Sequence, residues 1–105
     1  MRVVLDECIP RKAKHCLSGF VVSTVPEQGW AGLTNGKLLA AITGHFDFFV
    51  TVDRNLQFQQ RIANLPFGII IVAARSNRFE HLRPHIEQIP PLLVSSNLGK
   101  ILSVP

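Results

Sequence analysis

The chain has 105 residues, 47% of them hydrophobic and 17% charged, which suits one folded domain with a real core and excludes a disordered chain. No apolar run approaches the ~20 residues that a bilayer-crossing helix needs, so a membrane span is excluded. A formal charge of +4 and a pI near 9.7 tilt the expected partner toward a polyanion, although eleven basic residues spread along the chain also fit ordinary solubility.

Arg2 to Leu5 is a β-branched, apolar run that predicts a first strand and ends at Asp6-Glu7. The opening residues reach charge too soon for a secretory leader, which favours the cytoplasm. Pro10 suits the first turn of a helix through Lys14 to about Leu17, closed by Ser18-Gly19. Cys8 and Cys16 match no CxxC zinc or redox spacing and are expected as buried or partly buried free thiols. Phe20 to Thr24 predicts a second strand stopped by Pro26, with a turn or short helix from Glu27 to Gly32. Trp30 is expected to be buried. Thr34 then N-caps a helix that runs through Leu38 to Ile42 and stops at Gly44.

Asp47 to Val52 predicts the third strand, with Phe46, Phe48 and Phe49 in the core. Asp53 can cap a helix that carries Leu56, Gln60, Ile62 and Ala63 before Pro66. Gly68 to Ala73 is the fourth and most hydrophobic strand. Asn77-Arg78-Phe79-Glu80 looks like a capping box for a helix to about Ile89, interrupted by Pro90-Pro91. A short helical piece from Leu92 to Ser95 turns through Asn97-Leu98-Gly99 into a last strand near Lys100 to Val104. This alternation predicts an α/β fold: one domain, residues 1–105, with a central, mainly parallel sheet of four to five strands. Helices should cover both faces through right-handed crossovers.

Asp6 and Asp53 each follow a buried strand directly, so both carboxylates should emerge at the carboxyl edge of the sheet, where open α/β folds place ligands. Glu7 falls at the same edge, and only seven acidic residues exist in the chain. Carboxylates crowded on rigid strand ends are best tolerated with a divalent cation between them. Oxygen ligands with retained water suit Mg²⁺ or Mn²⁺, whereas zinc usually asks for His or Cys. Such an ion could activate water and stabilise an in-line phosphoryl transition state, which makes nucleic acid hydrolysis the matching reaction. The competing reading is structural, since an Asp between strand and helix is a routine N-cap.

Asn35 opens the next helix near that edge and could ligate weakly, although a cap or turn role beside Gly36 competes. Arg54, Arg75 and Arg78 stand on loops where guanidinium forks can hold phosphate, unless they are simply solvated. Gln59 and Gln60 are further candidates for substrate contact. His81 and His85 have the i, i+4 spacing of a metal pair, but no third ligand is apparent and Pro84 lies between them, so a surface or packing role is expected.

Four segments carry a family resemblance: Val4-Leu5-Asp6-Glu7 with Pro10 downstream, Gly29-Trp30-Ala31-Gly32-Leu33 leading to Leu38-Leu39, Thr51-Val52-Asp53-Arg54-Asn55 with Gln59-Gln60, and Ala74-Arg75-Ser76-Asn77-Arg78. With these, essentially the whole chain resembles the short bacterial PIN-like proteins, a family of unknown function related to PIN ribonucleases and to toxins of toxin-antitoxin pairs. The resemblance implies a three-layer PIN-like fold and an acidic Mg²⁺ or Mn²⁺ site that cleaves RNA. Asp6 looks like the first metal-binding Asp of that family, and Asp53 like the one in its Thr-x-Asp motif. The family often has an acid where Asn35 stands, and some relatives have one at Asn55; both departures lower the charge of the site.

The leading expectation is a metal-dependent endoribonuclease, the toxin of a toxin-antitoxin pair. Asp6 and Asp53 would bind the metal, Glu7 and Asn35 would assist, and Arg54, Arg75 and Arg78 would hold phosphates. Its partners are RNA, a cognate antitoxin protein and, through apolar helices such as Leu38 to Ile42, a second copy of the chain. A competing expectation is a PIN-like RNA- or partner-binding module that has lost turnover. A third is a receiver-like phosphoacceptor domain, which ranks lower because its Lys belongs at the end of the last strand and Lys100 stands at the beginning.

Overall fold

A computed structural model describes residues 1–58 and 64–105. Among the described residues five strands, β1 (Arg2–Leu5), β2 (Val21–Thr24), β3 (Phe48–Thr51), β4 (Gly68–Val72) and β5 (Ile101–Val104), form one sheet in the order β2-β1-β3-β4-β5. Every neighbouring pair is parallel. The expected α/β fold with a parallel sheet is present, with strand ends within a residue or two of those read from the β-branched runs.

The frame is completed by the helices α1 (Asn35–Ile42) and α2 (Phe79–Ile86), together with short 3-10 segments. The residues expected to form a first helix, and those after Asp53, adopt 3-10 rather than α geometry, as Arg11–Leu17 and Arg54–Phe58. Gln60, Ile62 and Ala63, expected on the second of these, and Gln59 with Gln60 as substrate contacts, lie outside the described residues. The helix at Phe79 ends near Ile86, earlier than expected, and Pro90–Leu92 and Ser95–Asn97 follow as separate 3-10 turns.

Side chains alternate across a strand, so each central strand feeds two cores. Val3, Leu5, Phe48, Val50, Ile70 and Val72 pack on one face against Ala13 and Leu17 of the first 3-10 segment and Leu82 and Ile86 of α2. Val4, Phe49, Ile69 and Ile71 pack on the other against Leu38, Leu39 and Ile42 of α1, with Leu56 and Phe67. Burial on both faces explains why β3 and β4 read as unbroken apolar runs, while the edge strands β2 and β5 stay partly exposed. Phe46, Phe48 and Phe49 are buried as expected; Trp30 is half-buried, its ring edge-on to Phe46 at 5.9 Å.

The crossovers do not share one hand. The connection β2-α1-β3 and the connection β4-α2-β5 advance in the same direction along the sheet, yet α1 and α2 cover opposite faces. Uniform right-handedness was expected from the usual twist argument. Here α2 instead joins the first 3-10 segment on a shared layer and buries Leu82 and Ile86 there.

A reciprocal cap anchors the end of β2. Thr24 N–H donates to Glu27 Oε1 at 2.9 Å, and Glu27 N–H donates to Thr24 Oγ1 at 3.2 Å. Lys14 Nζ reaches Glu27 Oε1 at 2.6 Å and ties the cap to the first 3-10 segment. The Lys14 hydrogen bond, helped by those from Thr24, holds the Glu27 carboxyl below its ordinary value. A depressed carboxyl stabilises the fold above its unfolded-state value and loses that contribution as pH falls through the folded value. Glu27→Gln is therefore expected to lower the thermal midpoint at neutral pH, with the difference from the native chain shrinking to nothing in acid. A midpoint difference that stays constant from neutral to acid pH would contradict this.

Candidate active site

From β1 the chain moves outward to β2 and then returns past β1 to β3, so the strand order reverses between β1 and β3. Such a switch point opens a crevice at the carboxyl ends of the two strands. Asp6 immediately follows β1, and Asp53 stands two residues beyond β3. Asp6 still belongs to the ladder, because its N–H donates to Val50 O at 2.9 Å.

Thr51 joins the two acids. Its hydroxyl donates to Asp6 Oδ2 at 2.6 Å, and the same oxygen accepts the Asp53 N–H at 3.1 Å. Asp6 Oδ1 accepts the Glu7 N–H at 2.9 Å, and Asp53 Oδ1 accepts the Asn55 N–H at 3.0 Å. Asp53 thus performs the capping role that competed with catalysis, using one carboxylate oxygen. Among the described residues neither Asp6 nor Asp53 makes an ion pair.

In the sequence Thr51 stands out only as part of a motif, with no task of its own. A single hydroxyl at the last position of a fully buried strand is the signal that would have found it, since Thr51 is completely inaccessible. Thr51→Val keeps the shape but removes a charge-assisted donor and the acceptor for a backbone N–H. Expected destabilisation is about 1–3 kcal/mol, checked by urea unfolding; a loss within error would show the hydroxyl to be dispensable.

Glu7 is exposed beside Asp6. Cys8, expected as buried or partly buried, is exposed, and Cys16 is the partly buried thiol. The field of the acids is felt at Cys8: partial burial first, then Asp6, Glu7 and Asp53, push its thiol above the ordinary value. All three carboxylates therefore act on one small region of the edge. Among the described residues no three His, Cys, Asp or Glu side chains converge closely enough to hold a metal ion by themselves. The donor set there is two hard carboxylates without a basic partner, which fits a water-rich Mg²⁺ or Mn²⁺ better than a fully protein-bound ion or zinc.

Asn35 begins α1, whose N-terminus follows the carboxyl end of β2, and Thr34 precedes it without a side-chain cap bond. No side-chain hydrogen bond joins Asn35 to either Asp among the described residues. Arg54 follows Asp53 and its Nη2 approaches Ala74 O at 3.5 Å, bringing the loops after β3 and β4 together. Arg75 contacts His81, and Arg78 pairs with Glu80 at 2.9 Å on the surface. His81 therefore has a polar role in the loop after β4 rather than a share in a metal pair. The Nδ1 of His85 is buried without a partner among the described residues.

The edge combines two acidic residues that flank the switch point, Asp6 and Asp53, with three exposed arginines on the neighbouring loops. Lys100 precedes β5 and so lies at the opposite, amino edge of the parallel sheet. No family model, curated protein or solved structure matches the chain.

Proposed function

We propose that the chain is a Mg²⁺- or Mn²⁺-dependent endoribonuclease of PIN-like type, acting in the cytoplasm as the toxin of a toxin-antitoxin pair. The observation that carries this reading is the Asp6-Thr51-Asp53 link across the switch point, in which one hydroxyl bonds the Asp6 carboxylate and the Asp53 backbone N–H, and neither acid pairs with a basic side chain among the described residues. A divalent ion bound there would supply an activated water and neutralise charge on an attacked phosphodiester. Asp6 and Asp53 would hold it, Glu7 and Asn35 would orient its water ligands, and Arg54, Arg75 and Arg78 would grip phosphates. An exposed ion pair such as Arg78 with Glu80 contributes little, so phosphate can displace the carboxylate.

A second reading is favoured by the same donor count. With Asn35 and Asn55 uncharged, Asp6, Asp53 and the exposed Glu7 are the anionic groups at this edge among the described residues, a low count that suits an RNA- or partner-binding module without turnover. A receiver-like phosphoacceptor lacks support, because the edge that carries the acids is opposite the one beside Lys100. The test is cleavage of single-stranded RNA with Mn²⁺ and with chelator, alongside calorimetric titration of the metal. Metal-dependent cleavage supports the nuclease. Absence of metal binding at millimolar concentration, with RNA still bound, overturns it in favour of the module.

A further inference from the structure

His81, in the first turns of α2, touches two residues of the loop after β4 at once. Its Nε2 lies 2.8 Å from a guanidinium nitrogen of Arg75, and its Nδ1 lies 2.5 Å from Ser76 Oγ. A guanidinium only donates hydrogen bonds, so Nε2 must be the acceptor and carries no proton. A neutral imidazole then has its hydrogen on Nδ1, which donates to Ser76 Oγ. That oxygen also accepts the Arg78 backbone N–H at 3.2 Å, using the second of its two acceptor lone pairs. The heavy-atom contacts alone select one tautomer.

We infer that His81 is a proton-sensitive positioning residue for Arg75. In the Nδ1–H form it aims the exposed guanidinium along the carboxyl edge, ready for an RNA phosphate. A second proton would sit on Nε2 and face the hydrogens of another cation, so the contact breaks and Arg75 is freed while the Ser76 bond survives. The RNA role rests on the nuclease reading; the tautomer and the release do not.

Among the described residues the side chains around His81 and Arg75 hold no carboxylate bonded to Arg75. Arg78 on the same loop is engaged by Glu80 on α2, and His85 lies one turn further along the helix. The first 3-10 segment, packed against α2, brings Lys12, whose ammonium lies 4.7 Å from the centre of the Phe79 ring, and His15. Arg83 and Glu87 pair with each other at 3.3 Å further down α2, and β4 carries no titratable side chain. Arg54 reaches the same loop at Ala74 O, 3.5 Å away, and the unpaired acids of this edge, Asp6, Glu7 and Asp53, make no hydrogen bond or ion pair with Arg75 among the described residues.

The test uses His81→Leu, which removes the acceptor, and His81→Gln, whose amide oxygen can accept from Arg75 but does not titrate. His81→Leu is expected to raise KM for RNA about threefold to tenfold, the effect of losing one oriented charge-assisted contact, with kcat changed less than twofold. The native chain should bind RNA more weakly on the acid side, and His81→Gln should recover most of the affinity lost in His81→Leu and abolish that acid-side weakening. An unchanged KM in His81→Leu, or the same acid-side weakening in His81→Gln, overturns the inference. Long-range ¹⁵N NMR of His81 decides the geometry without RNA: an Nε2–H tautomer overturns the latch alone. A native chain that neither binds nor cuts RNA overturns the nuclease reading and, with it, the phosphate role of Arg75.

Discussion

Asp6→Asn and Asp53→Asn are each expected to reduce Mn²⁺-dependent RNA cleavage about 100-fold or more, because each removes one of two charged ligands that share several kcal/mol of transition-state stabilisation. The fold should survive both changes. Without metal, each substitution relieves repulsion between two carboxylates, and in Asp53→Asn the new amide oxygen could still accept the Asn55 N–H that Asp53 accepts now. The midpoint of thermal unfolding in chelator should therefore not fall for Asp53→Asn. The native chain should gain about 1.4 kcal/mol when the metal stands at ten times its Kd, and the variants should gain almost nothing. Equal cleavage by the native chain and both variants would point to a contaminating nuclease and defeat the enzymatic proposal.

Gly68→Ala is expected to cost about 3 kcal/mol, a drop in thermal midpoint on the order of 15 °C for a domain of this size. Gly68 opens β4 opposite Phe48 of β3, and its N–H donates to Asp47 O at 2.9 Å. A methyl group there would run into the Phe48 ring and lie 2.8 Å from the Asn97 carbonyl oxygen. Phe48 is completely inaccessible, so its ring cannot swing out into solvent, and the Asn97 carbonyl belongs to the turn that leads into β5. A native-like midpoint for Gly68→Ala would show that the layer between β3 and β5 is looser than this packing implies.

The strands were legible because burial on both faces leaves a plain mark, as in Phe48–Thr51 and Gly68–Val72, where every residue is buried. Placement of Asp6 and Asp53 at one edge followed from those strands being parallel. Helical geometry was less legible. Arg11–Leu17 has the composition of an α-helix but is a 3-10 segment, since a short connection must fit the spacing of the strands it joins and residue types do not encode that fit. The hand of the last crossover was hidden for a similar reason: the choice of face by α2 depends on Leu82 and Ile86 meeting Ala13 and Leu17 from far away in the chain. At the site, the carboxylates were visible as charges against an apolar background. Thr51 and His81 were not assigned their roles, because a hydroxyl or an imidazole acquires its role from neighbours that only the fold supplies.

The wholly parallel ladder has a kinetic consequence. No two of the described strands can pair as a hairpin, and the bond that assembles the acidic pair, Thr51 to Asp6, spans 45 positions. Loop-closure entropy must be overcome before any ladder forms, so folding should be slow for a chain of this length, roughly in the range of milliseconds to seconds. During synthesis the first half of the polypeptide would hold Asp6 with nothing opposite it. The proposed RNA cleavage could then begin only after β3 has left the ribosome and docked, so on that proposal a growing chain would pass through an interval of harmlessness before the finished molecule meets RNA.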